Sequence, residues 1–270
     1  MRALAAVAAL TALAFAPLAE GQWARVPGEL IPRTATGEPD LTAPAPRTPD
    51  GKPNLSGVWL PDADPVPDGV TIVEADLPLP RHMIDITADL DPEEVGMAPW
   101  AAELLAQRLE NRGLDSPGAY CKPTGMPWVN AMVLPYKIVQ TRDLALILYE
   151  ENTVFRQIFL DGRETVEDPL PRWMGYSTGR WDGDALVVET IGLTEESWLD
   201  GMGHPHTESL RVIERFRRLD AGHLEIEMTI DDPEAYPRPI AYTLTLTAVP
   251  DDDLLEYFCT ENEKSSAHYQ

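Results

Sequence analysis

Imidazole is scarce in this chain and locally concentrated. Of five histidines in 270 residues, His204, His206 and His223 all lie between Gly203 and Leu224. The first two sit on a glycine-flanked loop, Gly201-Met-Gly-His-Pro-His206, which runs into a segment with strand character from Leu210 onward. Alternate side chains of an extended chain share a face. One face of this segment carries Leu210, Val212, Glu214 and Phe216, and the other Arg211, Ile213, Arg215 and Arg217. Glu214 therefore points to the apolar side, where a carboxylate must find a partner or take up a proton. Either an arginine or backbone amides satisfy it, or it is an acid or base lining a cavity with His204 and His206 at its mouth. The second reading gives metal-free acid/base chemistry, with an imidazole active near neutral pH and Glu214 tuning it or exchanging a proton.

Other residues extend that site. Arg156 is a candidate to hold an anionic group, Asp231 and Glu256 are carboxylates from neighbouring strands, and Trp173, Tyr176, Trp181 and Trp198 offer a stacking wall for a flat or sugar-like molecule. The His-x-His spacing also permits a divalent metal held by His204, His206 and Glu208. Pro205 favours a loop there, and the distant histidine of a cupin-type site is not evident. The first expectation is accordingly no cofactor. Ser177 lies in Tyr-Ser-Thr-Gly rather than in a nucleophile elbow, and there is no phosphate-binding or dinucleotide fingerprint.

Such residues need a scaffold, and the sequence predicts strands. Residues 136–141, 144–150, 153–160, 176–180, 186–190, 210–218, 224–230, 240–249 and 254–260 are rich in β-branched and aromatic residues and separated by short polar turns. Leu224, Ile226, Met228 and Ile230 alternate with Glu225, Glu227, Thr229 and Asp231, as expected of strands with one wet face. The fold class is thus all-β and mainly antiparallel, a lipocalin-like barrel or a sandwich of about eight strands. One helix is expected near 92–112, opened by Asp91-Pro92, stopped by Gly113 and carrying a stripe of Trp100, Leu104, Leu105 and Leu109. Residues 22–56, punctuated by proline, read as an extended arm, and 57–270 as a single domain.

Met1-Arg2 followed by an Ala/Leu-rich run to Ala19 has the form of a secretory signal, taken as residues 1–21. Cys121 and Cys259, the only cysteines, then invite a disulfide in an oxidising compartment, tying the chain's end to the start of the main domain. The expected location is periplasmic or secreted, with no membrane insertion after cleavage. A formal charge of −24, from 45 acidic and 21 basic residues, argues against nucleic-acid partners and anionic lipid.

Asp50-Gly-Lys-Pro-Asn-Leu-Ser-Gly-Val-Trp59, Arg156-Gln-Ile-Phe-Leu-Asp-Gly162, Trp173-Met-Gly-Tyr-Ser-Thr-Gly-Arg-Trp-Asp-Gly-Asp184, His204-Pro-His206, Glu214-Arg-Phe216 and Thr229-Ile-Asp-Asp-Pro233 together resemble a large, mostly uncharacterised family of exported bacterial proteins. The resemblance spans nearly the whole mature chain and implies a lipocalin-like barrel but no particular activity. The sequence points first to an exported enzyme of the lyase, isomerase or cyclase type, acting on a small organic molecule in a barrel cavity. A non-catalytic ligand-binding barrel and a metal-dependent enzyme are the alternatives.

Overall fold

The computed structural model describes residues 30–64, 79–91 and 95–260. The expected signal segment lies outside them. Nine strands close into one barrel: β1 (Gly57–Pro61), β2 (Tyr136–Gln140), β3 (Leu144–Tyr149), β4 (Phe155–Phe159), β5 (Tyr176–Asp182), β6 (Ala185–Ile191), β7 (Arg211–Arg218), β8 (His223–Asp231) and β9 (Ile240–Ala248). Strand order follows chain order, and β1 pairs with both β2 and β9. Every neighbouring pair is antiparallel except β4 and β5, which run parallel and share two register positions, Ile158 with Ser177 and Phe159 with Thr178. The alternation seen in sequence becomes burial: Leu224, Ile226, Met228 and Ile230 face inward on β8, and Ile240, Tyr242, Leu244 and Leu246 on β9. Side chains occupy the interior, among them Trp59, Tyr136, Ile147, Phe216 and, unusually, Arg156 and Glu214.

Three expectations need correction. Residues 254–260 form no strand and run as a largely exposed segment. β9 already pairs with β1, so the closed barrel offers no free edge for another strand. The two cysteines do bond, and Cys259 of that segment is fastened to Cys121. Of the helix expected near 92–112, residues 92–94 lie outside the described residues; the described helix runs Pro99–Glu110, set apart from Val95 by Gly96, whose φ of +52° leaves the right-handed helical region, and Pro99 suits its first turn. Its buried face is Ala101, Leu105 and Arg108, while Trp100 and Leu109 are exposed.

The described part of the arm, residues 30–56, is folded rather than extended; residues 22–29 lie outside the described residues. Pro32-Arg-Thr-Ala-Thr-Gly-Glu-Pro-Asp-Leu-Thr42 and Pro46-Arg-Thr-Pro-Asp-Gly-Lys-Pro-Asn-Leu-Ser56 are two copies of one pattern, and both make the same turn. The threonine amide bonds to the carbonyl four residues on (2.8 Å in each), and the arginine Nη1 to the glycine carbonyl (2.9 and 2.8 Å). The first turn docks on the β7–β8 connection, where Gly222 N donates to Leu41 O (2.7 Å). The second docks on the β5–β6 connection through the Arg47–Asp184 pair (2.6 Å). Leu55, buried, and the Leu55 N to Gln140 Oε1 bond (2.7 Å) complete a lid over this end of the barrel. The 3-10 turn Trp128–Ala131, wholly buried, enters the opposite end. No helix among the described residues is long and apolar enough to cross a membrane.

Candidate functional site

Glu214 occupies the inward position that strand alternation assigns it, and its partner is Arg156. β3 sets Ile147 beside Arg156, and β6 sets Val188 beside Glu214, so the two charged groups meet inside the barrel with 1% and 0% of their side chains exposed. Arg156 donates from Nη1 to Glu214 Oε1 (2.9 Å), from Nη2 to Glu214 Oε2 and to Thr190 Oγ1 (2.6 Å), and from Nε to Ser177 Oγ (2.9 Å). Asn130, carried in by the 3-10 turn, donates to Glu214 Oε1 (2.7 Å) and accepts from the Tyr149 hydroxyl (2.7 Å). Burial alone would weaken the guanidinium's hold on its proton, but the Glu214 carboxylate outweighs it and raises the Arg156 pKa. Burial pushes the Tyr149 hydroxyl pKa up as well. This network is a neutralised, fully bonded fork-to-fork pair, the satisfied alternative for an inward glutamate.

The histidines do not reach it. His204 Nδ1 lies 2.5 Å from Asp200 Oδ2, and Asp200 also accepts from the amides of Ile86 (2.9 Å), Gly203 (2.9 Å) and His204 (3.1 Å). The carboxylate thus ties the His loop to the segment after the short helix Arg81–Ile84. His206 turns the other way: Nδ1 faces Thr207 O (2.9 Å) and Nε2 faces Ser197 Oγ (2.8 Å). With Nδ1 bonded to a carbonyl it carries the proton in the neutral ring, and the Ser197 hydroxyl is shared between Nε2 and the Thr194 carbonyl (2.9 Å). Burial lowers the His206 pKa, which keeps the ring neutral. Ser197 and His206 have the spacing of a nucleophile and its base, yet Ser197 is fully buried and a Cβ on Gly125 would lie 2.8 Å from the Ser197 Cβ, so backbone covers it.

The metal alternative is not assembled. Glu208 is exposed, and His206 points away from His204. Among the described residues the one group of three with ligand atoms within 4.8 Å of one another is Asp85, Asp200 and His204. Its carboxylates already serve turns, since Asp85 accepts from Thr87 N (2.8 Å) and Thr87 Oγ1 (2.6 Å).

A pocket lies on the barrel's side. Because β4 and β5 pair at only two positions, the start of β4 and the chain leading into β5 diverge, leaving a pocket of about 400 Å³. Phe155, Gln157 and Phe159 of β4 form one wall, Trp173, Met174, Gly175 and Tyr176 the other, and Pro123, Thr153 and Val154 one end. Arg156, its side chain turned into the barrel, and the exposed Arg172 also border it. The Phe159 and Tyr176 rings are 5.3 Å apart, and the Arg163 guanidinium covers Phe159 at 3.8 Å. Gly175 makes the second wall possible: at φ +60°, a Cβ would lie 2.6 Å from Thr190 Cγ2 and 2.8 Å from Ile191 O.

Of the residues expected to contact a ligand, Arg156, Trp173 and Tyr176 thus line one pocket. Trp198 is buried elsewhere, against Trp128 (6.5 Å) and beneath Arg108 (4.6 Å). Trp181 packs on the core beneath Lys52 Nζ (5.8 Å), Asp231 faces Arg211 (4.0 Å), and Glu256 is exposed on the C-terminal segment. Phe155 and Met174 escaped the sequence reading because a single apolar residue carries no signal of its own. Asn130 was hidden because it reaches the barrel from a loop.

The chain matches no protein-family model and no curated protein.

Proposed function

We propose that this protein binds a small, flat, mainly apolar molecule, taken up sideways through the β4–β5 seam. One observation carries the reading: the parallel β4–β5 pairing opens into a pocket whose walls carry Phe155, Phe159, Trp173, Met174 and Tyr176 beside Gln157 and Gly175. Pockets of this size, apolar with a few polar groups, are the usual form of small-molecule sites. Phe155 is 58% exposed, so a molecule covering its ring would remove apolar surface from water. The location proposed is outside the cytoplasm, supported by the disulfide and by the resemblance to exported proteins.

An acid/base enzyme acting on the same molecule is the second reading. It is favoured by Arg156, which borders the pocket and bonds the inward Glu214. Fluorescence titration with 2-methylnaphthalene tests binding. Quenching of tryptophan emission that saturates, and is lost in Trp173→Ala and Phe155→Asp, supports the pocket; quenching unchanged in both variants refutes it. Turnover of a bound compound, lost in Arg156→Lys, would move the assignment to the enzyme.

A further inference from the structure

We infer that the lateral pocket continues behind Pro123 and Thr153 into a polar subsite, formed by Glu151 and Thr124, which accepts a hydrogen bond from a hydroxyl group on the apolar ligand. This rests on the pocket proposed above and names the polar end of its occupant.

Glu151 begins the 3-10 turn Glu151–Thr153 between β3 and β4, and its side chain is buried. Oε1 accepts from Asn152 Nδ2 (2.8 Å), but Oε2 has no hydrogen-bond partner among the described residues. Thr124 Oγ1 is buried and equally unpartnered. An unpaired buried polar atom costs about 1–3 kcal/mol, and native proteins leave few of them without a water or ligand to explain them. The two orphans belong to adjoining segments. Asn152 Nδ2 also donates to Lys122 O (3.2 Å), clamping residues 122–124 against 151–154, and from these segments come Pro123, Thr153 and Val154 at the end of the pocket. Asn152 and Thr153 both hold left-handed backbone, φ 48° and 52°, a conformation that strains a β-branched residue.

The charged groups nearby are committed elsewhere. Lys122 Nζ is paired with Glu196, and Glu150 Oε2 accepts from Leu255 N (3.1 Å). Lys122 is thus engaged with Glu196 rather than with Glu151, and burial raises the Glu151 pKa to about 7, against the smaller opposing pull of the Thr124 backbone and the Asn152 side chain. Above that pH the carboxylate accepts strongly from a hydroxyl; below it the acid has lost the charge that strengthens the bond.

The experiment compares 2-naphthalenemethanol with 2-methylnaphthalene, which differ by the hydroxyl, on the full disulfide-bonded protein. At pH 8.5 the alcohol should bind about tenfold more tightly, the fold-change expected of a hydrogen bond to a charged acceptor. The advantage should shrink as pH falls through about 7, become pH-independent in Glu151→Gln and weaken in Thr124→Val. If wild type binds both probes equally at every pH, the orphaned atoms hold only water and the inference is overturned, while the pocket stands. Should neither probe bind, the pocket proposal fails and this one with it. If Glu151→Gln does not fold, the wild-type pH series and Thr124→Val decide.

Discussion

Replacing Glu214 by leucine removes one half of a pair with almost no solvent exposure and leaves the Arg156 guanidinium buried among Ser177, Thr190 and Tyr149. Two donations from Arg156 and one from Asn130 lose their acceptor together. Breaking a buried pair in this way costs about 3–5 kcal/mol, most of it for the charge left behind. Removing both charges, as in Arg156→Met/Glu214→Leu, leaves no stranded ion, so the double variant should lie within about 1–2 kcal/mol of wild type. The single and double variants are therefore expected to differ in the order opposite to the number of substitutions. Urea unfolding followed by tryptophan fluorescence measures this: with a slope of about 2 kcal/mol/M, the single variant should lose about 2 M of midpoint. A single variant within about 1 kcal/mol of wild type would refute the reasoning, since it would mean that water or another partner neutralises Arg156. A double variant as unstable as the single would show instead that the hydrogen-bonded geometry, not the charge, holds the barrel's centre.

Two buried imidazoles set an acid limit on stability. Burial lowers the pKa of His82, which stacks on Tyr242 (4.5 Å), and of His206. Their contribution is therefore complete above about pH 6.5 and is lost as pH falls through the lower folded-state values. The melting temperature should drop between pH 7 and 5, with a shallower drop in His206→Gln. Glu151 has the opposite sign: its pKa, raised to about 7, lets it favour the fold below about pH 4.5 and lose that contribution as pH rises through 7. Glu151→Gln should therefore be relatively more stable at pH 8 than at pH 5, read from the same melting curves. Gly175→Ala meets both a left-handed φ and atoms under 3 Å away, so a loss of about 1–3 kcal/mol and weaker naphthalene binding should appear together. Cys121→Ser/Cys259→Ser opens a link across 138 residues, for which chain entropy alone would give about 4–5 kcal/mol. Because the segment around Cys259 is largely exposed, freeing it also returns entropy to the folded state, and the measured loss should be nearer 2 kcal/mol.

The barrel was legible because alternation survives translation into three dimensions. Leu224 to Ile230 and Tyr242 to Leu246 announce one buried face each, and a two-residue period has no competing explanation. Residues 254–260 have apolar side chains too, but adjacent ones, Leu254-Leu255 and Tyr257-Phe258, rather than alternate. Strand propensity without a free edge produces no strand. The parallel β4–β5 pair was not legible, because direction depends on where the chain of residues 160–175 travels outside the barrel, and neither strand records it. The folded arm was legible in principle: the repeated Pro-Arg-Thr, Gly and Pro-x-Leu positions specify the same turn twice, a pattern visible only when the two copies are aligned.

Glu214 and the histidines show where reading chemistry from residue type succeeds and where it fails. Alternation placed Glu214 inside, and electrostatics then required a partner; Arg156, set on β4 by the same alternation, is that partner. The histidines carried no comparable constraint, since a Gly-His-Pro-His loop has no period to fix its direction. In the fold, Asp200 holds one ring and Ser197 with the Thr207 carbonyl holds the other, so the scarce imidazoles brace a loop at the barrel's end. Scarcity marked them as special without saying for what. The residues better placed for ligand chemistry share a different property. Glu151 and Thr124 are buried polar groups that each keep one unsatisfied oxygen, in the segments that also supply Pro123 and Thr153 to the pocket. A partner already in place explains a buried charge structurally, whereas a missing one asks for a molecule from outside. On that criterion the proposed site at the seam between β4 and β5 rests on unmet bonds, whereas the histidine loop offers only met ones.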